Sequence, residues 1–301
     1  MERIGVAELG NAWAKEKAHG PHSAPETLKQ FIREDLGVEA TEIWRCGMCG
    51  LEQARPLRAW SASHYPLDKA FLSYDHFCAL EVLKACPPCR LLEIGCADGL
   101  FLRETSKLGH RPTGIDFSSE DIAQAQAQGL DARAADVGEL CETLGSDRFQ
   151  VICMFQIVEH LTDPAQVFEG IRRVAAPGAK LFVGCPSPKR FGRHWPHPGR
   201  LGACELWDYP PQHTLRWTAN AFQAFFSRMG WSVDRIAYEP FTIIGSAAFM
   251  ASSIGRAEGW YERAWKRRWV TAQWMLRALA ARMHGRLSGV RMFVEGHLEG
   301  A

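Results

Sequence analysis

The sequence predicts an α/β protein built on a mostly parallel, doubly wound sheet, and three observations carry that reading. Leu91, Leu92 and Ile94 form a short apolar run that stops at Gly95, as a strand buried on both faces would. A glycine turn, Gly95-Cys96-Ala97-Asp98-Gly99, follows, and then a helix-like segment over 100–108. A second apolar segment ends in an isolated acid, Asp116, twenty-one residues after Gly95. A strand, a glycine turn, a helix and an acid about 20 residues on make the first half of a nucleotide-binding sheet, the acid being placed to accept from ribose hydroxyls.

The remaining elements alternate in the same way. Ser118 and Ser119 can cap a helix carrying Ile122, Ala123, Ala125 and Ala127 that ends at Gly129. Residues 130–134 read as a third strand and 149–155 as a fourth, apolar and buried. Pro164 starts a helix through Val174, with Pro177-Gly178 as its stop. A fifth strand is expected over 180–185, a helix over 218–229 closed by Gly230, a sixth strand over 231–238 and an alternating seventh over 290–298. That regularity predicts helices on both faces of one sheet.

Composition bounds the function. The 301 residues are 47% hydrophobic and 23% charged, as in a globular enzyme, and the net charge of +1 leaves no overall electrostatic footprint for nucleic acid. No apolar stretch of about 18 residues is present, so no transmembrane helix is expected. Met1-Glu2-Arg3-Ile4-Gly5 lacks an export signal pattern. The ten cysteines, Cys96, Cys153 and Cys185 among them, fall mostly in apparent strands and read as reduced, buried thiols. A cytoplasmic protein is expected.

The turn also says which nucleotide. A dinucleotide fingerprint needs a middle glycine where the pyrophosphate approaches the backbone, and here that position is Ala97, followed by Asp98, which would repel phosphate. A carboxylate there suits a ligand that brings a positive charge. S-adenosylmethionine has an ammonium, a sulfonium and an adenosine, and no phosphate. Glu93-Ile94-Gly95-Cys96-Ala97-Asp98-Gly99 resembles the E/D-x-G-x-G-x-G motif of the class I S-adenosylmethionine-dependent methyltransferases: Glu93, Gly95 and Gly99 match, and Ala97 departs. The resemblance implies a Rossmann-like seven-stranded, mostly parallel sheet whose last strand runs antiparallel between strands five and six. It implies a cofactor site of Glu93, Gly95, Cys96, Ala97, Asp98, Gly99, Asp116, Phe117, Asp136, Val137 and Gln156. In it Asp116 holds the ribose, Phe117 packs on the adenine, Asp136 accepts from the adenine amino group with Val137 beside it, and Gln156 lies by the methionine end. The bland alternatives are that Asp136 caps a turn and that Phe117 is core.

Gln156-Ile157-Val158-Glu159-His160-Leu161-Thr162-Asp163-Pro164 is similar to the E-V-x-E-H-x-x-D-P segment of small-molecule O-methyltransferases, including those of quinone biosynthesis. Some of these hold magnesium with the two acids and the histidine. Gln156 replaces the first acid, so magnesium is not expected; Glu159 and His160 then orient the loop or cap the next helix. The acid-or-Asn-Pro-Pro-aromatic segment of base-modifying methyltransferases is absent after strand four, and Tyr209-Pro210-Pro211 lies far downstream.

Residues 187–214 read as a long irregular loop at the carboxyl edge of the sheet, with His194, Trp195, His197, Trp207, Tyr209 and His213. Trp195 and Trp207 either wall a substrate site or pin the loop to the core. Tyr209 to Thr218 is similar to the P-x-H-x-x-x-(F/W)-(S/T) helix entry of the same methyltransferases, which makes His213 the first candidate for general base and His160 the second.

Residues 1–85 form an N-terminal accessory segment. Cys46-Gly47-Met48-Cys49 resembles the second half of a zinc knuckle found before methyltransferase domains of saccharide pathways, but a tetrahedral site needs four ligands and the first C-x-x-C is missing. Cys86, Cys89, His19, His22 and His64 are the candidates to complete it; the knuckle reads as degenerate and zinc is not expected. His64-Tyr65-Pro66 and Tyr74 lead into a helix over 77–84 and are placed to close over the cofactor.

The core spans 86–240, a helical insertion 241–289 and the final strand 290–301. In the insertion Trp265, Trp269, Ala272, Leu276, Leu279 and Met283 form one apolar stripe, and 256–291 carries nine Lys or Arg against two acids. Packing on the domain or on a second copy is favoured over membrane-surface contact through 256–289. The sequence thus points to methyl transfer onto a small-molecule acceptor, a hydroxyl of a saccharide, lipid-linked or secondary metabolite. The alternatives are an RNA methyltransferase and a non-catalytic cofactor-binding scaffold. No nucleic acid partner is expected.

Overall fold

The computed structural model describes residues 1–17, 25–61, 64, 71–190, 193, 200–201, 204–257, 263–282 and 287–300. The chain divides into two compact units, one of residues 67–185, 219–237 and 292–301 and one of 1–66, 186–218 and 238–291.

The first unit carries a seven-stranded sheet. Its elements are α1 (Tyr74–Lys84), β1 (Arg90–Ile94), α2 (Leu100–Lys107), β2 (Arg111–Asp116), α3 (Ser119–Ala127), β3 (Ala132–Ala134), α4 (Leu140–Leu144), β4 (Phe149–Phe155), α5 (Pro164–Val174), β5 (Ala175–Pro186), α6 (Ala219–Arg228), β6 (Trp231–Tyr238) and β7 (Arg291–Leu298). The strand order is β6-β7-β5-β4-β1-β2-β3. Glu93 pairs with Cys153 on one side and Gly114 on the other, and the β4–β1, β1–β2, β2–β3 and β4–β5 pairs are parallel. The order turns back at β1, so β1 and β4 bound the switch point where ligands of such sheets sit.

The last strand lies between β5 and β6, as the family resemblance implies. Glu239 N donates to Arg291 O and Glu299 N donates to Gly230 O, so residue numbers rise along one strand as they fall along the other and β7 is antiparallel to β6.

Apolar patterning explains the packing. Val151, Ile152, Cys153 and Met154 of β4 are all buried, so both faces of the strand are covered. Val167, Phe168, Ile171 and Val174 give α5 one apolar face, and Phe168 meets Phe225 and Phe226 of α6 edge-on or tilted. Two local expectations change here. Pro177-Gly178 does not stop a helix: the backbone leaves α5 at Ala175 and is already strand, with a register shift opposite Phe149 and Val151 absorbing the pair. The helix after the Glu159-His160 turn is capped by Asp163, whose carboxylate accepts from Gln166 N, and not by Glu159 or His160.

The second unit holds a four-stranded sheet in the order Glu2–Gly5, Ala40–Arg45, Glu52–Arg55, Leu215–Arg216, with antiparallel pairings. Helices Val6–Lys17 and Pro25–Leu36 place Leu9, Trp13, Leu28, Ile32 and Leu36 in its core with Leu206 and Tyr209. The stretch 187–214 is therefore not irregular throughout. It contains the paired strands Arg200–Leu201 and Cys204–Glu205 and a 3-10 turn over Leu206–Asp208, and it leads into the edge strand Leu215–Arg216. Strands of two residues have no periodicity to read; Arg200–Leu201 and Cys204–Glu205 pair with each other, while Leu215–Arg216 pairs with Glu52 and Gln53, remote in sequence. Trp207 packs against this core; Trp195, His194 and His197 lie outside the described residues.

Helices Ile243–Ala257 and Ala264–Arg282 pack together through Ala247, Met250, Ala251, Ile254, Val270 and Trp274. The Trp265 stripe does not pack on the domain: Trp265, Trp269, Leu276 and Leu279 are exposed, and the packing face is the opposite one; Met283 lies outside the described residues. The cysteines are corrected too. Among the nine free cysteines described, only Cys153 and Cys185 sit in strands, and Cys46 is exposed.

Candidate active site

The glycine turn at the end of β1 is shaped by three left-handed residues. Gly95 has φ +79°, and a Cβ there would collide with Ile157, so glycine is required twice over. Gly99, at φ +84°, is the N-cap of α2. Between them Ala97 also adopts a positive φ, +44°, so alanine holds the backbone that the family's middle glycine would. Gly95 N and Cys96 N both donate to Ile115 O of β2, at 2.8 and 3.1 Å. The turn is thus fastened to the neighbouring strand.

Asp116, at the end of β2, fastens it again. One carboxylate oxygen accepts from Ala97 N and the other from Ser118 N, each at 2.9 Å. Burial pushes this carboxyl above its ordinary pKa, with the Ser118 and Ala97 amides opposing. Glu93 is fully buried beneath the turn; burial pushes it well above the usual carboxylate range, and the charges of Asp116 and Asp98 push the same way. Cys96 is buried, and its thiol is pushed far up by burial and by the Glu93 charge, so it is a neutral packing group.

The donor set decides what ligand fits. Glu93 Oε2 and Asp98 Oδ1 are buried with no hydrogen-bond partner among the described residues. Orphaned, mutually repelling carboxylates around an open turn call for a cation and donor groups, and would repel a pyrophosphate. The residues present fit S-adenosylmethionine.

Further along the edge, Phe117 is exposed and Asp136 is the N-cap of the turn Val137–Glu139, accepting from Gly138 N at 2.8 Å. Asp136 is exposed and Val137 half-buried. The capping role expected as the bland alternative is present for Asp136.

At the end of β4, Gln156 takes a left-handed backbone, φ +57°, rare for a residue with a side chain. Gln156 N donates to Gly184 O of β5, and Gln156 Nε2 donates to Asp75 Oδ2 at 2.7 Å. Asp75 was not among the expected site residues. It lies in the first turn of α1, is fully buried, and its other oxygen accepts from Ser73 Oγ and, at 3.3 Å, from His76 N. His76 Nδ1 lies 2.8 Å from Ser73 Oγ, and its ring packs against Phe101 and Phe155. A Cβ on Gly184 would collide with the Asp75 carboxylate. The signal in the sequence was slight: an acid in a first helical turn normally reads as a dipole partner, and a lone glycine within the apolar Leu181-Phe182-Val183-Gly184-Cys185 run is the one hint of a close approach.

Glu159 and His160 occupy the turn after β4, where Glu159 is buried, His160 half-buried, and His160 N donates to Ile157 O. His213 belongs to the other unit. It is buried, its Nδ1 lies 3.7 Å from Asp208 Oδ1, and its ring meets Trp207 edge-on. Burial pulls its imidazole below the ordinary value, with Asp208 opposing. Asp208 is itself held by Arg190, which also binds Glu205 at 2.6 Å. His213 is therefore a neutral imidazole with a fixed carboxylate beside it, the state a general base requires.

The Cys46–Cys49 turn joins strands Ala40–Arg45 and Glu52–Arg55, and backbone amides of Cys49 and Met48 pull the exposed Cys46 thiol below its usual pKa. Of the other expected ligands, His64 is committed to Asp35 at 3.0 Å and to the ring of Phe31, and His19 and His22 lie outside the described residues, as do Tyr65 and Pro66. Cys86 and Cys89 belong to the sheet unit.

Comparison with known proteins agrees with this geometry. The profile of a methyltransferase-domain family matches residues 68–236. A ubiquinone biosynthesis O-methyltransferase of Hahella chejuensis is 33% identical over 115 residues, 36% of this chain and 48% of that protein. The enzyme of the same name from Bordetella bronchiseptica is 31% identical over 110 residues, 34% and 45% of the two chains. The chain spans about half the length of these curated relatives. Among solved structures, a chain from the complex of the Haloferax volcanii Trm112 methyltransferase activator with a methyltransferase superposes with TM-score 0.52 at 16% identity, covering 75% of this chain and 91% of that one. A Galdieria sulphuraria protein assigned as a sarcosine dimethylglycine methyltransferase gives 0.50 at 12% identity, covering 75% and 85%. With its family profile covering more than half its length and its strand order and cofactor turn in place, the chain belongs to the class I S-adenosylmethionine-dependent methyltransferases.

Proposed function

We propose that the protein transfers a methyl group from S-adenosylmethionine to a hydroxyl of a small molecule, a saccharide, lipid-linked or secondary metabolite. The observation that carries the reading is the carboxylate-rich turn of Glu93, Asp98 and Asp116, which suits a cationic nucleoside; the relatives named as O-methyltransferases support the acceptor class. When bound, the cofactor supplies an electrophilic methyl group on a sulfonium. Gly95, Cys96, Ala97 and Gly99 give it a backbone cradle, and Asp116 accepts from its ribose hydroxyls. Asp136, Val137 and Phe117 border the adenine, and Gln156, held by Asp75, borders the methionine end. His213 takes the proton of the acceptor hydroxyl, with His160 as the second candidate. Since the leaving thioether is neutral, orientation and exclusion of water are the chief demands.

Single-turnover transfer from labelled S-adenosylmethionine into a metabolite extract tests this. A labelled, phosphatase-resistant small molecule with an O-methyl group supports the reading, and label only in RNA, or none anywhere, overturns it. The Cys46–Cys49 turn is read as a degenerate knuckle. Stoichiometric zinc by elemental analysis, lost in Cys46→Ser, would reverse that assignment. The helical insertion offers a contact surface for a membrane or a second copy.

A further inference from the structure

Helix Ala264–Arg282 has two apolar faces, and among the described residues only one is packed. Val270 and Trp274 are buried against helix Ile243–Ala257, which in turn packs on Val6–Lys17. At about 100° per residue, Trp265, Trp269, Ala272, Leu276 and Leu279 fall within an arc of about 80°, opposite Trp274. Trp265 is 69% exposed, Trp269 60%, Leu276 71% and Leu279 52%. Two tryptophans and two leucines in one exposed row are more than scattered surface apolarity and mark an interaction site.

Charge identifies the occupant. Residues 263–282 contain six Lys or Arg and no Asp or Glu, in a chain whose total is 35 against 34. Arg268, exposed, borders the arc on one side; Lys266 and Arg277 lie about 60–80° beyond its other edge, and the Arg277 guanidinium sits over the Trp274 ring, 4.6 Å from its centroid. Two copies meeting through this face would bring like charges together with no carboxylate from the same helix to offset them. An exposed aromatic row on a helix with six cations and no acid, Arg268 at its border, instead matches the boundary of an anionic bilayer, where indole rings settle at the headgroup level and cations meet lipid phosphates.

We propose that the exposed Trp265–Leu279 face of this helix docks the protein on an anionic membrane surface, lying in its plane. No helix among the described residues is long and apolar enough to cross a membrane, so the contact is peripheral. The inference does not rest on methyl transfer, and its test reads none.

The full chain is mixed with vesicles of phosphatidylcholine alone and of phosphatidylcholine with phosphatidylglycerol, and the bound fraction is measured by flotation. Binding is expected on the anionic vesicles only, falling as salt is raised. Trp265→Ala/Trp269→Ala and Arg268→Glu are each expected to lower partitioning at least about tenfold. Both alter exposed positions, so thermal unfolding should match the parent. Absence of vesicle binding, or equal binding by both folded variants, would overturn the proposal. So would a dimer in sedimentation that Trp265→Ala/Trp269→Ala separates, which would assign the face to a second copy.

Discussion

Gln156 Nε2 donates to the buried Asp75 carboxylate at 2.7 Å, so an acid fifteen residues before β1 sets the side chain at the end of β4. Gly184 makes the arrangement possible, because any side chain there would enter the space of the carboxylate. Gly184→Ala is therefore expected to destabilise the protein by about 1–3 kcal/mol, the usual cost of overpacking. In an Asp75→Ala background the added methyl has room, and the double-mutant cycle should show a coupling on the order of 0.5–3 kcal/mol. Urea titrations of the four proteins measure it. Additive effects would mean that glycine and acid do not share that space.

Asp116 fastens the turn and is proposed to hold the ribose, and each role predicts a readout. Asp116→Ala should weaken S-adenosylmethionine binding by roughly 2–3 kcal/mol, the scale of a lost charge-assisted hydrogen bond, by calorimetry. It should also lower stability, because Ala97 N and Ser118 N lose their acceptor. Asp116→Asn keeps one acceptor oxygen and should recover part of each. A folded Asp116→Ala protein with unchanged affinity would remove the residue from the cofactor site.

The strands of the sheet, the glycine turn and the place of Asp116 at a strand end were legible in the sequence because each depends on local signals: apolar runs, glycine positions and a spacing of about 20 residues; the place of the last strand came from the family resemblance. Asp75 was not, because its partners Gln156 and Gly184 are distant in sequence and its burial is a tertiary fact. The stripe of Trp265, Trp269, Leu276 and Leu279 was read correctly as a stripe, but periodicity alone does not say which of two apolar faces packs, and Val270 with Trp274 won. The two-residue strands beyond Pro186 were illegible because they are too short to carry a period, and Leu215–Arg216 is made by pairing with the remote Glu52 and Gln53.

Glu93 links protonation to stability. Its folded pKa lies well above its unfolded value of 4.5, so the native state binds more protons between the two. The contribution is fully present below about pH 4.5 and is lost as pH rises through the raised value. Glu93→Gln, which is neutral throughout, lacks that loss. The melting temperature of Glu93→Gln relative to the parent should therefore climb as pH is raised from 4.5. A difference independent of pH would show that Glu93 titrates normally in the folded protein.

His213 is the residue on which the word "O-methyltransferase" rests most. His213→Ala is expected to leave cofactor affinity unchanged, since the proposed cofactor contacts are made by the glycine turn and its carboxylates and not by His213. Turnover should fall by roughly 10²–10⁴, the range for a general base. The parent's pH–rate profile should have a limb on the acid side of the ordinary imidazole value of 6.5, because burial lowers the His213 pKa. The variant should lack that limb. Asp208→Asn should move it further to the acid side, since the carboxylate that favours the imidazolium is gone. His160→Ala is the control. If it removes the limb and His213→Ala does not, the two residues exchange roles. If both variants turn over normally, no histidine base operates and the acceptor is nucleophilic on its own, which would withdraw the hydroxyl from the proposed chemistry while leaving the methyl transfer.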